Sequence, residues 1–108
     1  MKYNKILGGK ISQPIQIIMY NKIKDLFFET QDNIFITSYN NLTTLKRDIS
    51  GMVGLQPSNF SLSFFYDNDD YNNPITYDII NSRDLQLVQD IVQSDPDITY
   101  QGLIIVEI

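Results

Sequence analysis

Carboxylates and amides crowd one short stretch of this chain. The run Asp67-Asn68-Asp69-Asp70-Tyr71-Asn72-Asn73 supplies hard oxygen donors of the kind that hold Ca²⁺ or Mg²⁺. It has neither the glycine nor the closing glutamate that an EF-hand loop needs, so no metal site is expected there. Two readings remain for it: a solvated acidic loop, and a surface that ion-pairs with a basic partner. Covalent and acid–base chemistry have less to work with. The chain holds no Cys and no His, which removes thiolate nucleophiles, imidazole bases and the usual ligands of structural zinc. A Ser or Thr hydroxyl is then left without a base to activate it. Asp69 and Asp70 are adjacent, but they lie in a polar loop with nothing to bury them and raise a pKa. Leu7-Gly8-Gly9-Lys10 is too short to cradle a phosphate. Neither a catalytic residue nor a cofactor is expected.

Aromatic side chains offer recognition rather than catalysis. Phe27-Phe28 and Phe64-Phe65-Tyr66 sit in runs that read as strands. Neighbours on a strand point to opposite faces, so one of each adjacent pair looks away from a helix-covered core. Phe65 is the residue expected to do so, either as a contact for a partner or beneath an N-terminal arm.

Charge is divided unevenly along the chain. Residues 1–50 carry seven Lys or Arg and four Asp or Glu, whereas residues 51–108 carry one Arg and nine Asp or Glu, for a net charge of −5 overall. Phosphate contacts need a basic surface, so direct binding of nucleic acid is not expected. No apolar run approaches the 18 or so residues of a membrane span, and no membrane contact is expected. MKYNKILGGK carries three lysines without an apolar stretch behind them, which is not the pattern of a secretory leader. A cytoplasmic, intracellular location is the expectation. Seventeen Ile and ten Asn with no Ala point to an AT-rich genome, so richness in Asn is a weak sign of disorder here. A hydrophobic fraction of 43% suits one folded domain.

The elements that must position these residues follow from pattern and punctuation. Residues 1–14 contain Gly8-Gly9 and end in Pro14, and read as a flexible arm before a domain over 15–108. Strands are expected over Ile15–Tyr20, Leu26–Thr30 and Ile34–Ser38, with turns at Asn21–Asp25 and at Gln31-Asp32-Asn33. Whether the first strand covers 15–20 or 22–29 is left open by the pattern. Asn41 reads as a helix cap, and Leu42, Leu45, Ile49 and Met52 or Val53 form an apolar stripe. Lys46, Arg47 and Asp48 then face away. Gly54 and Pro57 end that helix. Ser61–Tyr66 and Ile75–Tyr77 read as strands around the acidic loop. Asn81 or Ser82 caps a second helix reaching about Gln93, with Leu85, Val88 and Val92 inward. Leu103–Ile108 reads as a central strand buried on both faces. The order β-β-α-β-β-α-β requires a mixed sheet, because the first helix is a crossover.

The stretch from Asn40 to Phe64, NNLTTLKRDISGMVGLQPSNFSLSF, resembles the helix-to-third-strand segment of the ubiquitin-like β-grasp family. Leu42, Leu45 and Ile49 fall on that family's helix core, Gly54 on its terminating glycine, and Leu62 and Phe64 on its third-strand core pair. The resemblance implies an α+β fold of ubiquitin-like β-grasp type. It does not imply conjugation to other proteins, since no Gly-Gly follows LIIVEI. Ser63 stands where the family's recognition patch has an isoleucine. The stretch FFYDNDDYNNPITYDIINSRDLQLVQDIV is similar to the acidic motif of Phox/Bem-type heterodimerisation domains. That likeness assigns Asp67, Asp69 and Asp70 to an acidic docking loop and Asp84-Leu85 to the start of the following helix. It implies a lysine of a partner's first strand as the counter-charge. Lys22 or Lys24 could serve if the first strand begins there.

A non-enzymatic protein-interaction module, adaptor- or scaffold-like, is the function expected. Asp67, Asp69, Asp70 and Asp84 form its expected acidic face, Lys22, Lys24, Lys46 and Arg47 its expected basic face, and Phe65 an apolar contact. The expected partner is another protein, and use of both charged faces would give head-to-tail self-association. Two other classes compete: a small acidic viral or phage inhibitor that occupies a basic nucleic-acid-binding cleft, and a structural subunit of a larger assembly.

Overall fold

The structure, a computed structural model of the chain, describes residues 14–68, 73–94 and 102–108, and of Asp67, Asn68, Asn73 and Pro74 the backbone alone. The arm expected over 1–14 lies outside the described residues except for Pro14, which is exposed. Strand β1 (Ile15–Asn21) pairs antiparallel with β2 (Leu26–Ile34) across a turn at residues 22–25. The first strand is thus the earlier of the two alternatives.

The second expected turn, Gln31-Asp32-Asn33, is not a turn but part of β2. Pairing runs from Asn21↔Leu26 to Ile18↔Glu29, then shifts so that Gln16 meets Asn33. The extra β2 residues bulge out. The Thr30 hydroxyl donates to the Ile17 carbonyl at 2.6 Å and accepts from the Asp32 N–H at 3.1 Å. A side chain therefore stands in for the ladder bond that the bulge removes. Beyond it, Ile36–Ser38 is one 3₁₀ turn rather than strand. Ile34 and Ile36 are nonetheless both buried.

Helix α1 (Leu42–Val53) starts where the Asn41 carboxamide accepts from the Thr44 N–H at 2.8 Å. It ends at Gly54, whose φ of 74° is left-handed. The Ser50 hydroxyl then donates to the Leu55 carbonyl and ties down the exit. Leu45 and Ile49 are fully buried, Leu42 and Val53 pack at the margin of the core, and Met52 is exposed.

Strands β3 (Ser61–Asn68) and β4 (Asn73–Ile79) form a second antiparallel hairpin, and α2 (Ser82–Ser94) follows. Strand β5 (Gly102–Glu107) closes a five-stranded mixed sheet of order β2-β1-β5-β3-β4. It lies parallel to β1 and antiparallel to β3. Both helices follow the sheet's crossover logic: the core gathers Ile15, Ile17, Leu62, Phe64, Ile104 and Val106 from the strands with Leu45, Ile49, Leu85 and Val88 from the helices.

β5 is central but not buried on both faces. Gly102, Ile104 and Val106 are buried, while Leu103, Ile105 and Glu107 are half-buried. A continuous apolar run reads as two-sided burial, yet here it serves one deep face and one shallow one.

Candidate functional site

The tip of the first hairpin is built by local polar bonds. The Asn21 carboxamide accepts from the Lys24 N–H at 3.0 Å, and Asp25 takes a positive φ of 52°. The Tyr20 hydroxyl donates to Asp25 at 2.8 Å, and this bond holds the Tyr20 phenol above its ordinary pKa, with burial and the nearby carboxylates acting the same way. The Tyr20 ring stacks on Phe27, centroids 4.5 Å apart.

This scaffold presents an apolar edge. Ile23 is 94% exposed, and Leu26, Phe27 and Phe28 are 49%, 63% and 48% exposed. Three large apolar residues in succession put apolar surface on both faces of β2, since alternate side chains point to opposite sides. Leu26 and Phe28 share the helix-facing side with their partners Asn21 and Met19, and among the described residues no helix covers them.

Among the described residues no strand pairs with the outer side of the same segment. The Tyr20 carbonyl accepts from the Ile108 N–H and the Lys22 N–H donates to the Ile108 carbonyl, so these β1 residues face β5. Met19 and Asn21 therefore face β2 and bond Phe28 and Leu26. Phe27 and Glu29 are left with their N–H and C=O groups on the outer edge.

The residues expected to act together are dispersed. Lys22 and Lys24 lie in the hairpin turn and not within the first strand, so neither supplies the strand lysine that the acidic-motif likeness calls for. Lys46 does not face outward: its ammonium donates to the Phe60 carbonyl at 2.9 Å and sits 4.8 Å from the Phe60 ring centroid. Reaching Phe60, just ahead of β3, draws its aliphatic stem inward. Arg47 stays exposed, 4.0 Å from Asp48. Phe65 is half-buried on the sheet face away from the helices, between Leu103 and Thr76.

Asp84 belongs to a helix cap. Its carboxylate accepts from the Ile80 N–H at 3.0 Å, and its own N–H donates to Asn81 at 2.9 Å. It is also separated from Asp67 by the length of β4, because Asp67 pairs with Pro74 at the other end of that strand. Six residues separate Pro74 from Ile80, which at 3.3 Å per residue is roughly 20 Å. Asp84 is thus not part of one acidic face with Asp67, and the side chains of Asp67, Asp69 and Asp70 lie outside the described residues.

A cleft of about 420 Å³ opens at the end of the sheet that carries the hairpin tip. Leu42, Leu62 and Ile80 supply its apolar wall, and Lys46, Asp78 and Glu107 its charges. The Ser61 hydroxyl donates to Glu107 at 3.4 Å. Two carboxylates against one ammonium leave the lining with a net negative charge. Among the described residues no group of three acidic side chains is placed to hold a metal ion, and no helix is long and apolar enough to cross a membrane.

Sequence reasoning passed over Ile23, Leu26 and the buried Gln89. The signal for Leu26 was the succession Leu26-Phe27-Phe28 itself, since a strand with one covered face needs only alternate apolar residues; Ile23, in the turn, lies outside that run. Gln89 is 8% exposed and donates to the Ile36 and Tyr39 carbonyls at 2.8 and 2.6 Å. No sequence pattern marks it. Comparisons of the chain with protein-family models, curated proteins and solved structures give no match.

Proposed function

We propose that this chain is a non-enzymatic protein-interaction module of ubiquitin-like β-grasp type, adaptor-like, that docks through the outer edge of β2. The β-grasp assignment draws support from the strand order β2-β1-β5-β3-β4, with a parallel central pair and α1 as the crossover between the two hairpins. One observation carries the function: Leu26, Phe27 and Phe28 are all about half exposed or more on an edge strand whose Phe27 and Glu29 main-chain groups point outward. Edge strands are ordinarily blunted by charge, proline or cover, because they template pairing. A partner that adds a strand here gains main-chain hydrogen bonds, with the exposed apolar side chains supplying contact area.

A photo-crosslinking residue at position 27, expressed in the native host, tests this reading. The expected result is a discrete cross-linked protein at position 27 and none at Thr76 on the opposite edge strand. Equal or absent cross-linking at the two positions refutes it.

A further inference from the structure

We infer that the β2 edge pairs with a second copy of this chain, antiparallel about a two-fold axis that passes beside Phe28. The inference rests on the reading of β2 as a docking edge and names its partner.

Geometry restricts the register sharply. A two-fold axis that reverses strand direction while moving β2 to the far side of its own edge stands perpendicular to the sheet. The two sheets then join into one, with both helix layers on the same side. Residues opposite each other share a face, so the numbers of each pair sum to an even value. Three axes place the outward groups of Phe27 and Glu29 in the new ladder: at Phe27, Phe28 or Glu29.

Charge decides among them. An axis at Glu29 sets that carboxylate against its own copy. An axis at Phe27 sets Asp25 against Glu29. Like charges directly opposite oppose pairing. An axis at Phe28 sets Phe27 against Glu29 and Leu26 against Thr30, and it carries Lys24 of the turn toward Asp32 of the bulge. That arrangement has no like-charge pair. Phe27 and Glu29 then exchange main-chain hydrogen bonds with their counterparts, and the two Phe28 rings meet on the helix side at a narrow, non-hydrogen-bonded position. Aromatic pairs at such positions are favourable. The Thr30 bulge ends the regular ladder, so the contact is short and the dimer weak.

The chain has no cysteine, so single-cysteine variants report the register directly. At a non-hydrogen-bonded pair the Cα atoms stand about 4.5 Å apart, within disulfide reach. Phe28→Cys is therefore expected to give a covalent dimer under a mild thiol oxidant. Phe27→Cys, whose copy lies two positions along the ladder, is expected to do so at least tenfold more slowly. Sedimentation of the parent is expected to rise with concentration from 12.5 kDa toward twice that mass. Phe28→Lys, with its fold checked by circular dichroism, is expected to stay at one chain. Lys24→Asp is expected to weaken the dimer, and Asp32→Lys in the same chain to restore it.

Faster cross-linking of Phe27→Cys than of Phe28→Cys overturns the register. Masses beyond two chains overturn the two-fold in favour of head-to-tail association. A one-chain mass at every concentration, with position 27 still cross-linking to a different protein, overturns self-pairing alone and leaves the docking edge standing. A one-chain mass with no cross-link at position 27 overturns both.

Discussion

Gln89→Leu removes two hydrogen bonds while keeping nearly the same volume in the same place. The Gln89 carboxamide reaches from α2 to the segment between β2 and α1, where it donates to the Ile36 and Tyr39 carbonyls. The Ile36 carbonyl keeps a long bond from the Tyr39 N–H at 3.4 Å, so its loss is partial. The Tyr39 carbonyl is left facing leucine. A net hydrogen bond contributes about 1 kcal/mol, and an orphaned, partly buried acceptor costs about 1–3 kcal/mol more. The expected destabilisation is about 2–4 kcal/mol, a large share of the roughly 5–15 kcal/mol that holds such a domain together. Urea unfolding followed by circular dichroism measures it as a lower midpoint at unchanged slope. Gln89→Glu adds a sign test. A carboxylate facing two carbonyls is penalised by burial and has its folded pKa raised. The folded form then binds more protons than the unfolded form, so the variant is most stable at acid pH and weakens as pH rises through the raised pKa. A Gln89→Leu midpoint within about 0.5 kcal/mol of the parent refutes the pinning role, taking surface-type tolerance as the scale.

Further outcomes follow from other contacts. Asn41→Ala removes the acceptor of the Thr44 N–H, and is expected to cost about 1 kcal/mol by denaturant titration. Thr30→Val keeps the β-branched shape but removes both bulge bonds, and is expected to cost about 1–2 kcal/mol and to speed amide exchange at Asp32. Burial, followed by the hydrogen bond to Asp48, raises the Tyr39 phenol to about 12. Between pH 10 and 12 unfolded tyrosine ionises while Tyr39 cannot, so stability falls across that window and is untouched at neutral pH. Ultraviolet titration of Asp48→Asn is expected to lower the Tyr39 pKa only part-way, because burial persists.

Helix α1 was legible almost in full because its determinants are local. Asn41, the Leu45–Ile49 stripe and Gly54 each act within one or two turns, and the observed cap and terminus use those residues. α2 was legible for the same reason. The bulge was not. Gln31, Asp32 and Asn33 carry turn chemistry, and the Thr30 hydroxyl reaching Ile17 together with the pairing of Asn33 opposite Gln16 keeps them in the strand. Lys46 read as outward because helical spacing put it off the apolar stripe, yet its long stem reaches Phe60. The apolar edge at Leu26–Phe28 was visible as composition, but its exposure depended on where the helices come to lie.

The parallel pairing of β1 with β5 sets the order in which the molecule can be assembled. During synthesis the two hairpins and α1 are made long before Gly102–Glu107 emerges. Only α2 and its connections separate Ile79 from Gly102, so at about 5–20 residues per second that interval is roughly 1–5 seconds. Until β5 arrives, β1 and β3 each hold an inner edge with no strand to bond, and Ile17 and Phe64 lack the Ile104 that will sit between them. Local hairpins form in microseconds, but the sheet waits for its last piece. The sheet is therefore completed only once β5 is available, and the nascent protein passes through a stage with two open half-sheets. In a cell, that stage is where a holding chaperone would find its binding surface.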